Sequence, residues 1–241
     1  MVEKVVTDRK GGEAVVKSDV LDEFVSHAKK DQRARLKDRF TSLSLDRGQF
    51  VFFEGDEAAS LYLIESGVIE ANVVHGDGKV YIFHFIFPGE IFGEGVVYEQ
   101  DYYPFSAVAR KEALIWKVPK EYIVSALDSD PAFKAYMLRL IGHKLDSSYV
   151  KARCIAGERV EKRVACILLK TIDQQRGIFD HCTEKLDTPL TNRDISGLIG
   201  STEETVSRVM SRLKREGIIG TEDKQLVVLD RESLMGYFDS M

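Results

Sequence analysis

From Asp19 to Phe40 the apolar positions Leu21, Phe24, Val25, Ala28 and Leu36 recur at helical spacing among charged residues. That pattern predicts a helix with Ser18 or Asp19 as its cap. Beyond it the period falls towards that of a strand. The runs Gln49–Glu54, Ser60–Ile64, Val68–Val74, Val80–Phe87, Ser106–Ala109 and Ala113–Val118 are short and rich in Val, Ile, Phe and Tyr. Glycines punctuate them, and Gly76-Asp77-Gly78 between two apolar runs reads as a hairpin turn. Short strands at such regular intervals predict an all-β sandwich or barrel over residues 41–118.

After Pro119 the helical period returns. Leu138, Ile141, Leu145, Ser148, Ala152 and Ile155 recur at alternating steps of three and four, a narrow seam suited to a partner helix. Packing on its own barrel is the alternative for this stripe, but the narrowness favours a second subunit. A further helix is predicted over Glu158–Gln175, with Gly157 as the hinge before it.

The segment Pro189 to Leu213 holds two short helices. Thr191 with Asp194 predicts a capping box, Ile195, Leu198 and Ile199 the buried face, and Gly200 a left-handed turn. Ser201 with Glu204 predicts the cap of the next helix, whose inner face is Val206, Val209, Met210 and Leu213. Its outer face carries Thr202, Glu203, Glu204, Thr205, Ser207, Arg208 and Arg212, the chemistry of base-edge and phosphate contact. With Thr191 and Ser201 these are the candidate DNA-binding residues. Gly217 to Leu229 reads as a β-hairpin wing, so the whole is a winged helix-turn-helix.

The charge of −5 does not announce a nucleic-acid binder. Locally, however, Arg208, Arg212, Lys214 and Arg215 form a basic stripe that no acid interrupts between Thr205 and Arg215. No apolar run approaches the ~20 residues of a membrane span, and Met1–Asp8 lacks a signal-peptide core, so a cytoplasmic protein away from membranes is expected. Cys154, Cys166 and Cys182 show no close pairing, which predicts reduced thiols rather than a disulfide framework or a metal site.

The markers Phe53-Glu54-Gly55-Asp56, Leu61 to Gly67, Pro88-Gly89-Glu90-Ile91-Phe92-Gly93-Glu94, Arg163-Val164-Ala165 with Leu168-Leu169, and Glu204-Thr205-Val206-Ser207-Arg208 resemble the CRP/FNR family of bacterial transcription regulators. The resemblance covers roughly Gln49 to Leu229. It implies an α+β chain: an N-terminal arm and helix (1–40), a sensory, cyclic-nucleotide-binding-like β-barrel or jelly roll (41–118), a dimerisation helix (119–156) and a winged helix-turn-helix (157–241). It further implies a homodimer on two-fold symmetric double-stranded DNA, with RNA polymerase as a partner and activation as one possible outcome. Glu204 would then accept from a cytosine amino group, Arg208 would address a guanine edge or hold Glu204, and Ser207 would touch a base or phosphate. The cAMP-receptor branch has an arginine where Glu203 stands, so an FNR-like TTGA half-site is expected.

The sensor half departs from both branches. An iron–sulfur cluster of the FNR type needs an N-terminal cysteine group, and no cysteine precedes Cys154. The cAMP pattern needs an Arg-Ser pair where Pro104 and Phe105 stand, so the effector is expected not to be cAMP. The expected pocket is lined by Phe92, Gly93, Glu94, Tyr102, Tyr103, Phe105, Leu145, Ser148 and Tyr149, aromatic and short of positive charge. The dimer seam would be Leu138, Ile141, Leu145, Ala152 and Ile155. Haem is a candidate effector because His75, His84 and His143 lie in or near this domain, and the effector otherwise stays unnamed. A cupin-like enzyme and a cyclic-nucleotide-binding regulatory module are the rival readings. Against them stand the absence of a His-x-His pair and the helix-turn-helix pattern.

Overall fold

The computed structural model describes residues 18–98, 100–156, 159–176, 190–222 and 225–239. The arm at 1–17, the Gly157 hinge, Cys182, Pro189 and the wing tip at Asp223 and Lys224 lie outside the described residues. The N-terminal helical segment is two helices, α1 (Asp19–Ser26) and α2 (Lys30–Lys37), rather than one. Ser18 caps α1 by accepting from Leu21 N–H at 2.8 Å. The helix stops because Lys29 turns to extended backbone and gives its N–H to the Asp130 carboxylate instead of continuing the ladder.

Two four-stranded antiparallel sheets follow, in the orders β1-β8-β3-β6 and β2-β7-β4-β5. Their strands are β1 (Thr41–Leu45), β2 (Phe50–Phe52), β3 (Ser60–Ser66), β4 (Ile69–Val74), β5 (Val80–Ile86), β6 (Ile91–Phe92), β7 (Ser106–Ala109) and β8 (Ala113–Pro119). The short β1 and β6 escape the sequence pattern: four of the five β1 positions are exposed, so it shows no clean alternation, and β6 has only two residues. The β4–β5 hairpin closes at the expected glycine turn, with His75 N–H donating to the Lys79 carbonyl at 2.9 Å. Leu61, Leu63, Ile64, Ile69, Ile86, Ile91, Phe92, Ile115 and Val118 belong to one buried core that the two sheets share with the helices packed on them. Burial of this apolar surface is the main source of stability here.

The single long helix expected after Pro119 is broken into α3 (Lys120–Ser129) and α4 (Pro131–Ile155). Asp130 is the cause. Its carboxylate accepts from Ala132 N–H at 2.9 Å and Phe133 N–H at 3.1 Å. Pro131 at the first helical position has no N–H to lose, so a new helix starts there. Phe133 and Met137 anchor α4 on the barrel core.

The remaining elements are α5 (Val160–Arg176), α6 (Asn192–Ile199), α7 (Glu203–Arg215), the β9 (Ile219–Glu222) and β10 (Gln225–Val228) hairpin, and α8 (Arg231–Asp239). The expectation of three reduced thiols is corrected. Cys154 near the end of α4 and Cys166 in α5 are joined as a disulfide with Cα atoms 6.3 Å apart. Twelve residues separate them, too many for a spacing motif, but a helical hairpin brings the two positions together.

Candidate nucleic-acid interface and sensor site

The helix-turn-helix is built from its caps outward. Thr191 accepts from Asp194 N–H at 3.2 Å, and Asp194 accepts from Thr191 N–H at 2.9 Å, which closes the expected box. Gly200 ends α6 at φ +62, the left-handed conformation that glycine adopts without a Cβ penalty. Ser201 is not the cap of α7, however. Its N–H is used to close α6 on the Ser196 carbonyl at 3.0 Å, and Thr202 takes the cap by accepting from Thr205 N–H at 3.3 Å. From α5, the Arg163 guanidinium donates to the Ile199 carbonyl at 3.0 Å and satisfies the last turn of α6.

Helix α7 is strongly two-faced. Val206, Val209, Met210 and Leu213 are buried against Ile195, Leu198, Ile199 and the α5 residues Val164, Ala165 and Leu168. Outward, Glu204 and Arg208 form an i,i+4 pair at 3.7 Å with side chains 83% and 71% exposed. A pair so open to water contributes little to stability and is free to exchange its partners for base edges. Glu203 is also exposed, and Ser207 faces a cleft bounded by Asn192, Lys214 and Thr221 of the wing.

Four candidate contacts are otherwise engaged. Arg212 donates to the Tyr237 hydroxyl at 3.0 Å and to Glu216 at 3.1 Å, which ties α7 to α8. The hydroxyls of Thr202 and Thr205 lie 2.8 Å apart and serve the cap, and the Thr191 hydroxyl serves Asp194. A hydroxyl near a helix start is read from sequence as a contact or as a cap, and here the cap wins.

The DNA-binding domain rests on the barrel. Ile82, Phe85, Phe87 and Val68 share one core with α5, α6 and α7. Gly197 permits the approach, because a Cβ there would stand 3.0 Å from the Val80 carbonyl oxygen. Arg110 spans the junction, 2.6 Å from Asp194 and 3.2 Å from Glu70. The guanidinium is thereby committed to these two acids.

The expected effector pocket does not assemble as one cavity. Phe92 and Tyr103 belong to the packed core, with Phe52 stacked on Tyr103 at 3.7 Å and Tyr62 on Phe92 at 4.9 Å. The Tyr103 hydroxyl donates to the Ser60 carbonyl at 2.8 Å and accepts from Ser60 N–H at 3.0 Å. Burial raises the Tyr62 and Tyr103 hydroxyls above the ordinary phenol range. Tyr102 lies instead on the outer surface, beside Glu57, Asp101 and Lys120. Phe105 is half-buried beside His84, and Leu145, Ser148 and Tyr149 are exposed on α4.

Gly93 leads into the turn that carries Glu94. Glu94 meets Lys144 of α4 at 2.9 Å, an ion pair that reasoning from the sequence missed. The site is therefore not short of positive charge. A carboxylate at the mouth of an apolar barrel was the available signal, since it needs a cation or a donor. Lys151, one helical region further on, is buried and donates to the Ile82 carbonyl at 2.7 Å and to that of Phe83. Burial, with Lys170 adding repulsion, pushes its ammonium down to about 7.

The three haem candidates do not converge. His75 is exposed at the hairpin tip and His143 is exposed on α4. His84 keeps some solvent contact, yet burial, with three lysines adding to it, pushes its imidazole down to about 3, so it is neutral at physiological pH. Among the described residues no group of three or more His, Cys, Asp or Glu is placed to hold a metal. No helix among them is long and apolar enough to cross a membrane.

On α4 the stripe of the expected seam faces outward. Leu138 is 63% and Leu145 51% exposed, with Tyr149 and Val150 beside them. The adjacent face, through Phe133, Met137 and Lys151, is the buried one.

Comparison with known proteins places two domains along the chain. Residues 42–130 match the cyclic nucleotide-binding domain and residues 162–237 the Crp-like helix-turn-helix domain. The Fumarate and nitrate reduction regulatory protein of Vibrio cholerae is 26% identical over 193 residues, covering 79% of this chain and 76% of that protein. The Transcriptional activator protein anr of Pseudomonas aeruginosa is 24% identical over 186 residues, covering 77% and 75%. The structure of FixK2 from Bradyrhizobium japonicum superposes with a TM-score of 0.73 at 23% identity, covering 82% of this chain and 96% of that one. With an α+β architecture of barrel, long helix and winged helix-turn-helix in that order, the chain belongs to the CRP/FNR family of DNA-binding transcription regulators.

Proposed function

We propose that the protein is a homodimeric, cytoplasmic regulator that reads a two-fold symmetric TTGA-type site through Glu204, Ser207 and Arg208. The observation that carries this reading is the exposed Glu204–Arg208 pair on a helix whose other face is fully committed to the domain core. An acid and an arginine one helical turn apart can accept from a cytosine amino group and donate to guanine O6 and N7. The outward stripe of α4 favours a second copy as its cover: Leu138, Ile141, Leu145, Ala152 and Ile155 would then pack as a parallel helix pair. Such a dimer presents two recognition helices to successive major grooves. RNA polymerase is the partner that a DNA-bound regulator of this kind would address.

The effector in this reading is not cAMP. Pro104 offers no N–H and Phe105 no polar group where a cyclic phosphate would need a cation, and Arg110 is held by Asp194 and Glu70. Glu94 and Lys144 would instead recognise, or be separated by, the effector. A gel-shift series tests the DNA reading. A duplex with two inverted TTGA half-sites should be retained at lower protein concentration than a scrambled duplex of the same composition. Equal retention would remove the reading.

A further inference from the structure

The disulfide between Cys154 and Cys166 ties together α4 and α5. Helix α4 carries the proposed dimer seam, and α5 carries Val164, Ala165 and Leu168 into the core of the DNA-binding domain. A bond between them therefore fixes the angle at which α7 leaves the dimer axis. A second link between α4 and α5, Lys170 Nζ donating to the Ser147 carbonyl at 2.8 Å, is non-covalent. Cys154 is half-buried, whereas Cys166 is only 6% exposed. One sulfur can meet a small oxidant, and the other waits beneath it as the resolving thiol.

We propose that Cys154 and Cys166 are a reversible thiol–disulfide site through which a peroxide sets the DNA affinity of this regulator, a proposal that rests on the DNA-binding function above. The Cys154 thiolate attacks one peroxide oxygen, the O–O bond breaks, and hydroxide leaves, giving a sulfenic acid. The Cys166 thiol then attacks the Cys154 sulfur, the S–O bond breaks, and water leaves as the disulfide forms. The hydroxide takes up the proton that the Cys154 thiol lost on ionising, so two electrons pass from the sulfurs to peroxide, which ends as two waters. A dithiol reverses the reaction by exchange through a mixed disulfide. A disulfide that opens and closes in a reducing compartment is a sensing device rather than a structural staple.

The direction follows from the docked arrangement. The face of α6 around Ile195, Gly197 and Leu198 rests on the barrel, while Glu204 and Arg208 point away from it. Oxidation thus locks a conformation whose recognition face is open, and removes relative motion of α4 and α5 that binding would otherwise have to freeze. Oxidation should tighten DNA binding by about tenfold, within the usual range of coupling between two sites.

The test uses full-length protein carrying Cys182→Ser, so that only one thiol pair remains. Fluorescence anisotropy gives Kd on the symmetric TTGA duplex and on random DNA, with protein reduced by dithiothreitol or oxidised by hydrogen peroxide and freed of excess reagent. Peptide mass spectrometry scores the Cys154–Cys166 link. The expected result is a link that forms with peroxide, a Kd about tenfold lower, reversal by dithiothreitol, and no response in Cys154→Ser or Cys166→Ala. A link that fails to form, or that forms with unchanged or weakened affinity, overturns the proposal while leaving the DNA reading intact. Failure of both redox forms to prefer the symmetric duplex would remove the DNA reading and the switch together.

Discussion

Arg110 of the barrel lies 2.6 Å from Asp194 of the helix-turn-helix, and Asp194 is also the carboxylate that closes the capping box of α6. One side chain thus serves the start of a helix and the joint between two domains. Glu70, buried beside it at 3.2 Å from the same guanidinium, makes Arg110 the shared cation of two acids. Burial raises the Glu70 carboxyl above its ordinary range, while Asn72 and Arg110 pull it back.

Removing that cation should be costly. Arg110→Ala leaves two neighbouring carboxylates without their shared partner, and urea unfolding should show a loss of about 3 kcal/mol. Adding Glu70→Gln should recover part of it, because one of the stranded charges is gone. A single substitution that unfolds like wild type would show that the junction carries no such load.

Lys151 gives the protein a stability that rises with alkalinity. Its folded value of about 7 lies below the 10.5 of the unfolded chain, so between those limits the unfolded state binds the extra proton. Below pH 7 the penalty of the buried cation is fully present, and as pH rises it is relieved at about 1.4 kcal/mol per unit. Lys151→Met lacks this slope. The stability of wild type relative to that variant should therefore climb from pH 7 to 9, and parallel curves would contradict the assignment.

The α4 stripe should govern assembly. Ile141→Glu places a charge in the seam, which costs several kcal/mol once buried without a partner. Sedimentation should show monomers at micromolar concentration, with loss of binding to the symmetric duplex. A variant that stays dimeric would place the interface elsewhere.

Calorimetry with cAMP and with cGMP should give no heat of binding. A cyclic phosphate carries a full charge that is expensive to bury unpaired, and the positions that would meet it are Pro104 and Phe105. Micromolar binding of either nucleotide would show that Lys144 leaves Glu94 to serve the phosphate.

The fold was legible where side chains obey a period. The two-faced α7, the capping box of Thr191 and Asp194, the Gly200 turn and the glycine hairpin of β4–β5 all follow from local rules. What stayed hidden depends on contacts between distant segments. Asp130 breaks the long helix partly because it also serves Lys29, about a hundred residues away. Cys154 and Cys166 pair only once α4 and α5 fold back on each other. Lys144 finds Glu94, and Arg110 finds Asp194, through the packing of helices on the barrel, which no spacing along the chain encodes. The bond from Arg212 to the Tyr237 hydroxyl stayed hidden because an exposed-face arginine has the same pattern whether it meets DNA or the next helix.

Selection of bound duplexes from a random pool, followed by affinity measurements with wild type and Arg208→Ala, tests the central claim most directly. Wild type should enrich inverted TTGA-type half-sites whose centres lie about one helical turn apart. On the enriched site Arg208→Ala should cost about 1–3 kcal/mol and relax the preference at one base pair of each half, with little change on random DNA. An enriched sequence without two-fold symmetry, or an equal loss on specific and random DNA, would contradict base reading by Arg208.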